Sequence, residues 1–291
     1  MVHEEGFFGG AGGARTYYQC WLPAGEIRAT LAVAHGLAEH GGRYMNLVNC
    51  FVPSGYAVYA IDHFGHGKSE GPRTYVGQFG DYTEPLRTFT GMIAQKQPDK
   101  PMILLGHSMG GLIGAMYLIE GHHPLAGAVL SGPLVKMHGS VSPVLVLLVK
   151  ALSSFIPRFR LVGLDAHGVS RDPNVVRAYV EDPLVYTGKT TARLAAELSK
   201  TMARVAAEAG KITCPLLIVQ GGADRLVDPE GSRMLYDRAG SIDKTLKIYD
   251  GLFHEVFNEP ERDVVLGDVK SWVEARVHGR KSDRQEPLLS R

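Results

Sequence analysis

Short β-rich runs, most of them continuously apolar, alternate along the chain with longer stretches in which apolar residues recur at helical spacing. The runs are TLAVAHG (Thr30–Gly36), YAVYAID (Tyr56–Asp62), PMILLGHS (Pro101–Ser108), AGAVLSGP (Ala126–Pro133), the start of CPLLIVQGGAD, and TLKIYDG (Thr245–Gly251). Continuous runs predict strands buried on both faces, as in a parallel sheet. Between them, RYMNLVNCFVPSG, roughly Asp81–Gln97 with Pro85 in an early turn, MGGLIGAMYLIEGH, a segment from Pro229, and roughly Glu259–Val277 predict helices. Strict strand–helix alternation predicts an α/β fold, its sheet mostly parallel and covered on both faces.

The rhythm breaks once. From Leu134 to Gly210 the pattern is helical or irregular, with no strand signal. This predicts a core of residues 1–133 and 211–277, a helical cap of residues 134–210, and a polar tail of residues 278–291. A cap inserted there covers the carboxyl edge of the sheet, where ligands bind in open α/β folds. Within it, Val141–Ile156 carries a single charge, Lys150, and is too short to cross a bilayer.

Composition narrows the function classes. At 291 residues, about 73% of the extended chain's surface can be buried, enough for a large core. Thirty-one Lys and Arg against 30 Asp and Glu leave no basic field for nucleic acid. Three scattered cysteines, Cys20, Cys50 and Cys214, fit neither a disulfide framework nor a zinc site and point to a reducing compartment. MVHEEGFFGG does not read as a signal peptide, and GGAGGAR, with no strand before it, does not read as a phosphate loop.

The strongest chemical signal is Gly106-His107-Ser108-Met109-Gly110, a G-x-S-x-G pattern between a buried strand and a helix. A nucleophile on such an elbow needs small neighbours, and the Met109 amide at the helix start faces a developing oxyanion. Its acid should follow a strand beyond the cap, where Asp224 and Asp228 compete. Asp228 precedes Pro229 and Glu230 and reads as a helix N-cap, so Asp224 is the expected acid. His254, after TLKIYDG, is the expected base. The Leu37 amide, following His35-Gly36, is the expected second oxyanion donor, with His35 in a structural hydrogen-bonding role. His63 and His66, and the pair His122-His123, lack a third ligand at metal spacing, so no metal is expected.

HGLAEHGGRY, DHFGHGKSEGPR, GHSMGG, ADRLVDPEGS and KTLKIYDGLFHEVFNEPER, in this order from about Tyr17 to Val277, resemble the monoacylglycerol lipases of the α/β-hydrolase superfamily. The resemblance implies an α/β-hydrolase fold with an eight-stranded sheet, cofactor-free hydrolysis of monoacylglycerols, and the same triad and oxyanion donors. Leu37 stands where that family often has alanine or glycine. Because the contact is through the backbone, the expected effect is on pocket width. The cap is the variable part. Leu145, Leu148, Phe159, Leu184 and Tyr186 are its expected acyl-binding residues, and the helix from about Val141 to Leu152 its expected contact with membranes or lipid aggregates. The expected location is the cytoplasm or its membrane surfaces. Rival readings are a lysophospholipase, a short-chain esterase, a peptidase and a non-catalytic ligand-binding protein. The last conflicts with an intact triad, and aspartate would stand at position 108 in a haloalkane dehalogenase.

Overall fold

A computed structural model describes residues 1–121, 124–139 and 143–282. Eight strands form one sheet: β1 (Val2–Gly9), β2 (Arg15–Leu22), β3 (Ala29–Ala34), β4 (Tyr56–Ile61), β5 (Met102–His107), β6 (Gly127–Ser131), β9 (Leu216–Gly221) and β10 (Lys244–Tyr249). Their spatial order is β1-β2-β4-β3-β5-β6-β9-β10, parallel from β4 onward, with β1 and β2 antiparallel at one edge. The connecting helices are α1 (Met45–Phe51), α2 (Gly80–Lys96), α3 (Met109–Ile119), α7 (Pro229–Arg238) and α8 (Arg262–Ser282). This is the α/β-hydrolase fold.

Two-sided burial explains the continuous apolar runs. On β3 and β5, Ala32, Ala34 and Leu104 face a core shared with Leu86 and Phe89 of α2 and Leu112 and Met116 of α3. Their neighbours Leu31, Val33, Ile103 and Leu105 face the opposite core, with Phe51 of α1 and Val269 and Trp272 of α8. Alternate residues serve opposite layers, so neither set can be polar.

Between β6 and β9 lie α4 (Pro143–Phe155), β7 (Arg160–Gly163), α5 (Pro173–Glu181), β8 (Lys189–Thr191) and α6 (Ala192–Glu208). The segment is not strand-free, since β7 and β8 pair as a short antiparallel ribbon. Three or four residues cannot establish a readable alternation. Nor is α6 purely cap, because Leu194, Leu198 and Val205 enter the same core cluster as Leu112 and Met116 of α3. A strand does precede GGAGGAR. It pairs antiparallel with the strand after it, and Gly12 and Gly13 take positive φ in the short 3-10 turn between them, so the segment closes a hairpin and opens no α-helix. At the other end, α8 continues to Ser282, past the expected start of the tail. The rest of that tail, together with His122, His123, Val141 and Ser142, lies outside the described residues.

Candidate active site

The carboxyl ends of β3, β5, β6, β9 and β10 bring five loops together. Ser108 sits between β5 and α3 at φ 53° and ψ −116°, a left-handed conformation costly for any residue with a Cβ. It is held there from three sides. Its N–H donates to the Ser131 carbonyl at 2.9 Å, and its own carbonyl accepts from Leu112 at 3.1 Å and Leu134 at 2.9 Å. The glycines of the motif are sterically required: a Cβ on Gly106 would lie 2.4 Å from the Gly110 carbonyl oxygen, and one on Gly110 would lie 2.0 Å from that of Ala34.

Asp224 follows β9 and is buried. Its Oδ1 accepts the N–H groups of Leu226 at 2.8 Å and Val227 at 3.0 Å. Its Oδ2 accepts from the Gln220 amide at 2.8 Å and the His254 Nδ1 at 2.7 Å. Burial would raise the carboxyl's pKa, but the His254 ring and the donated hydrogen bonds hold it below its ordinary value. An ionised carboxylate only accepts, so Nδ1 of His254 carries the proton and Nε2 is left as the base. Burial would make that imidazole less basic. The Asp224 charge and hydrogen bond outweigh it, with help from Glu255 and Glu39, and its pKa is raised. Gly132 at φ 47° lets the chain after β6 pass beside the ring, since a Cβ there would lie 3.2 Å from it. Asp228 is elsewhere, capping α7 through the Glu230 N–H at 2.9 Å and pairing with Lys136 at 2.8 Å.

Ser108, His254, Gly36, Leu37 and His107 line one cavity of about 20 Å³, bordered on the cap side by Leu164, Val169 and Tyr179. Leu37 lies in the loop after β3. Met109 is the first residue of α3, and its N–H precedes the helical ladder. His35 has the structural role its position suggests: its Nδ1 donates to the Gly36 carbonyl at 2.7 Å and its Nε2 accepts the His63 N–H at 2.9 Å. His63 and His66 pack with it and with Tyr82. Among the described residues, no cluster of three or more His, Cys, Asp or Glu could hold a metal ion.

Of the expected acyl-binding residues, Leu148, Phe159, Leu184 and Tyr186 do not line this cavity. Leu148 and Phe159 are exposed, the Tyr186 hydroxyl accepts from Arg160, and Leu184 is half-buried. The Leu145 side chain lies outside the described residues. Apolar residues of a cap look alike in sequence whether they face solvent or the nucleophile. Sequence reasoning also missed Glu39, Arg43 and Glu255, which form a buried ionic cluster against the site. The only signal for them was charge in the HGLAEHGGRY and FHE segments.

Residues 25–261 match the family described as serine aminopeptidase, S33 (Hydrolase_4). The chain is 45% identical to a monoacylglycerol lipase of Mycolicibacterium smegmatis over 94% of this chain and 97% of that one. The crystal structure of Paleococcus ferrophilus monoacylglycerol lipase superposes with a TM-score of 0.78 at 30% identity, covering 95% of this chain and 100% of that one. A soluble variant of monoglyceride lipase from Saccharomyces cerevisiae, in complex with a substrate analog, gives a TM-score of 0.85 at 26% identity, covering 95% and 96%.

Proposed function

Because the chain belongs to the Hydrolase_4 family of serine hydrolases and, within it, to the monoacylglycerol lipases, we propose that it cleaves monoacylglycerols to a fatty acid and glycerol through an acyl-serine intermediate. The Ser108 Oγ attacks the ester carbonyl as Nε2 of His254 takes its proton. The Leu37 and Met109 amides stabilise the resulting oxyanion, and His254 returns the proton to the departing glycerol oxygen. Water then attacks the acyl-serine with His254 again as base. This releases the fatty acid and restores the Ser108 hydroxyl. Asp224 keeps Nδ1 protonated throughout and stabilises the imidazolium. No step needs a cofactor.

The chemistry rests on the 2.7 Å Asp224–His254 contact beside a left-handed Ser108. The substrate class rests on likeness to the Mycolicibacterium lipase over nearly the whole chain. The cavity as it stands holds about one water. We infer that an acyl chain enters by displacing Leu164, Val169 or Tyr179 on the cap side, the cap acting as a gate.

The cap also offers a lipid-facing surface. On α4, Leu147, Ala151 and Phe155 share a face at helical spacing and are exposed, as are Leu148, Ile156 and Phe159 nearby. Apolar exposure on this scale suits a partner phase, and Lys150, Arg158, Arg160 and Lys189, all exposed, suit anionic lipid headgroups. No helix among the described residues is long and apolar enough to cross a membrane. The contact proposed is peripheral.

Glycerol release from 1- and 2-monoacylglycerols of increasing chain length, run beside lysophosphatidylcholine and an aminoacyl anilide, tests the assignment. Faster turnover of monoacylglycerols is expected. Preference for the lysophospholipid or the anilide would overturn the substrate class, and failure of a fluorophosphonate probe to label Ser108 would overturn the chemistry.

A further inference from the structure

The loop carrying Leu37 leaves β3 and the loop carrying His254 leaves β10, and three strands, β5, β6 and β9, separate them in the sheet. The sheet alone therefore fixes their spacing only at a distance. One buried side chain spans the gap directly. Arg43 Nη1 donates to Glu39 Oε2 at 2.6 Å and to Glu255 Oε1 at 2.6 Å, while Nη2 donates to Glu255 Oε2 at 2.9 Å. The exposed fraction of these side chains is 10% for Arg43, 5% for Glu39 and 6% for Glu255.

Each carboxylate is tied to one half of the catalytic apparatus. Glu39 Oε1 accepts the Gly36 N–H at 2.6 Å, next to the Leu37 amide, and the Tyr44 hydroxyl at 2.8 Å. Glu255 follows His254 in the chain, and its Oε2 also accepts from the Asn258 amide at 2.8 Å. The cap closes on the same cluster, with the Tyr179 ring 4.6 Å from the Arg43 guanidinium and the Glu255 N–H donating to the Val169 carbonyl at 2.8 Å. Burying two carboxylates side by side is unfavourable without a cation between them. Planar, five-donor arginine bridges both at once as lysine cannot.

We propose that Arg43 is a positioning residue for the reaction: through Glu39 and Glu255 it sets the spacing of the oxyanion loop against the histidine loop. The role rests on the serine-hydrolase reading above. It acts in the transition state, where the oxyanion donors and His254 must be in register together, so its loss falls on kcat. Glu255 and Glu39 add to Asp224 in making the His254 imidazole more basic, against burial and beside the His107 ring 4.7 Å away, so removing the Glu255 carboxylate makes it less basic.

The test uses the full chain and a short-chain p-nitrophenyl ester, with Arg43→Met, Arg43→Lys and Glu255→Gln compared by kcat, KM and the pH dependence of kcat/KM. Arg43→Met should lower kcat about 10- to 100-fold with little change in KM, the cost of a small misplacement. Arg43→Lys should recover part of this, and Glu255→Gln should move the acid limb of kcat/KM to lower pH. A folded Arg43→Met with kcat within about threefold of wild type, or a loss confined to KM, overturns the proposal. So does an unmoved acid limb in Glu255→Gln. Should Arg43→Met fail to fold, Arg43→Lys and Glu255→Gln decide, and wild-type kcat in the first or an unmoved acid limb in the second overturns it. Wild-type protein inactive on the ester would instead sink the serine-hydrolase reading itself.

Discussion

Replacing Ser108 with glycine should abolish activity and yet leave the protein more stable than replacing it with alanine. Both changes remove the nucleophile, and a triad enzyme without it typically loses about 10⁴- to 10⁶-fold in kcat. They differ in the Cβ. At φ 53° and ψ −116° a Cβ is strained, and alanine keeps it while glycine does not. Strain at such a position is about 1–3 kcal/mol. Glycine gives back about 0.5–1 kcal/mol through its freer unfolded chain. The difference left is about 1 kcal/mol in favour of glycine. For 291 residues at about 2.1 cal/mol/K of unfolding entropy each, that is a rise of about 2 °C in Tm. Scanning calorimetry of the two variants side by side reads it directly. A glycine variant melting at or below the alanine variant would show that Ser108 is not strained in solution, and the elbow argument would fail with it.

Asp224→Asn should lower kcat about 10⁴-fold by freeing the His254 tautomer, whereas Asp228→Asn should cost little because asparagine also caps helices; the reverse ranking in steady-state assays would exchange their roles. Burial lowers the pKa of His66 and His107 to about 4, and it lowers His35 and His63 as well. Unfolded histidines titrate near 6.5, so the unfolded state binds more protons below that pH and stability falls from about pH 6.5 towards pH 4. His254 is raised and works in the opposite sense, its contribution being lost as pH rises through its folded pKa. Below pH 6.5 the His254 contribution is already complete, so the four buried histidines predict a falling Tm between pH 6.5 and 4.5, and a flat calorimetric profile would refute the burial argument. Leu148→Glu with Phe155→Glu should cut sedimentation with anionic vesicles while sparing short-chain ester hydrolysis; undiminished vesicle binding would remove α4 as the contact.

The sheet was legible because β3 to β6 and β9 are buried on both faces, which forces unbroken apolar runs, while half-buried β10 was marked by its β-rich composition and the turn after it. The edge hairpin was not. Val2–Gly9 is largely exposed, so VHEEGFFG carries no such run and the strand is set by its pairing with β2. The ribbon of β7 and β8 was equally silent, since a strand of three or four residues lacks the length to show a period.

Ser108, Asp224 and His254 could be read because local chemistry marks each one. Ser108 needs glycine on both sides, His254 closes the chain order of the triad, and Asp228 is betrayed as a cap by the proline after it. No comparable mark exists for Arg43, Glu39 and Glu255. A buried arginine between two glutamates is spelled with residues that usually sit in water, and only the convergence of the loops after β3 and β10 turns three ordinary charges into one cluster. The lining of the cap lacks a mark for the opposite reason. The apolar side chains of α4 that face solvent and the Leu164, Val169 and Tyr179 that line the cavity at Ser108 are alike in sequence, and only tertiary packing decides which side they take. Local rules position the reacting atoms, while tertiary packing sets their spacing and controls what reaches them.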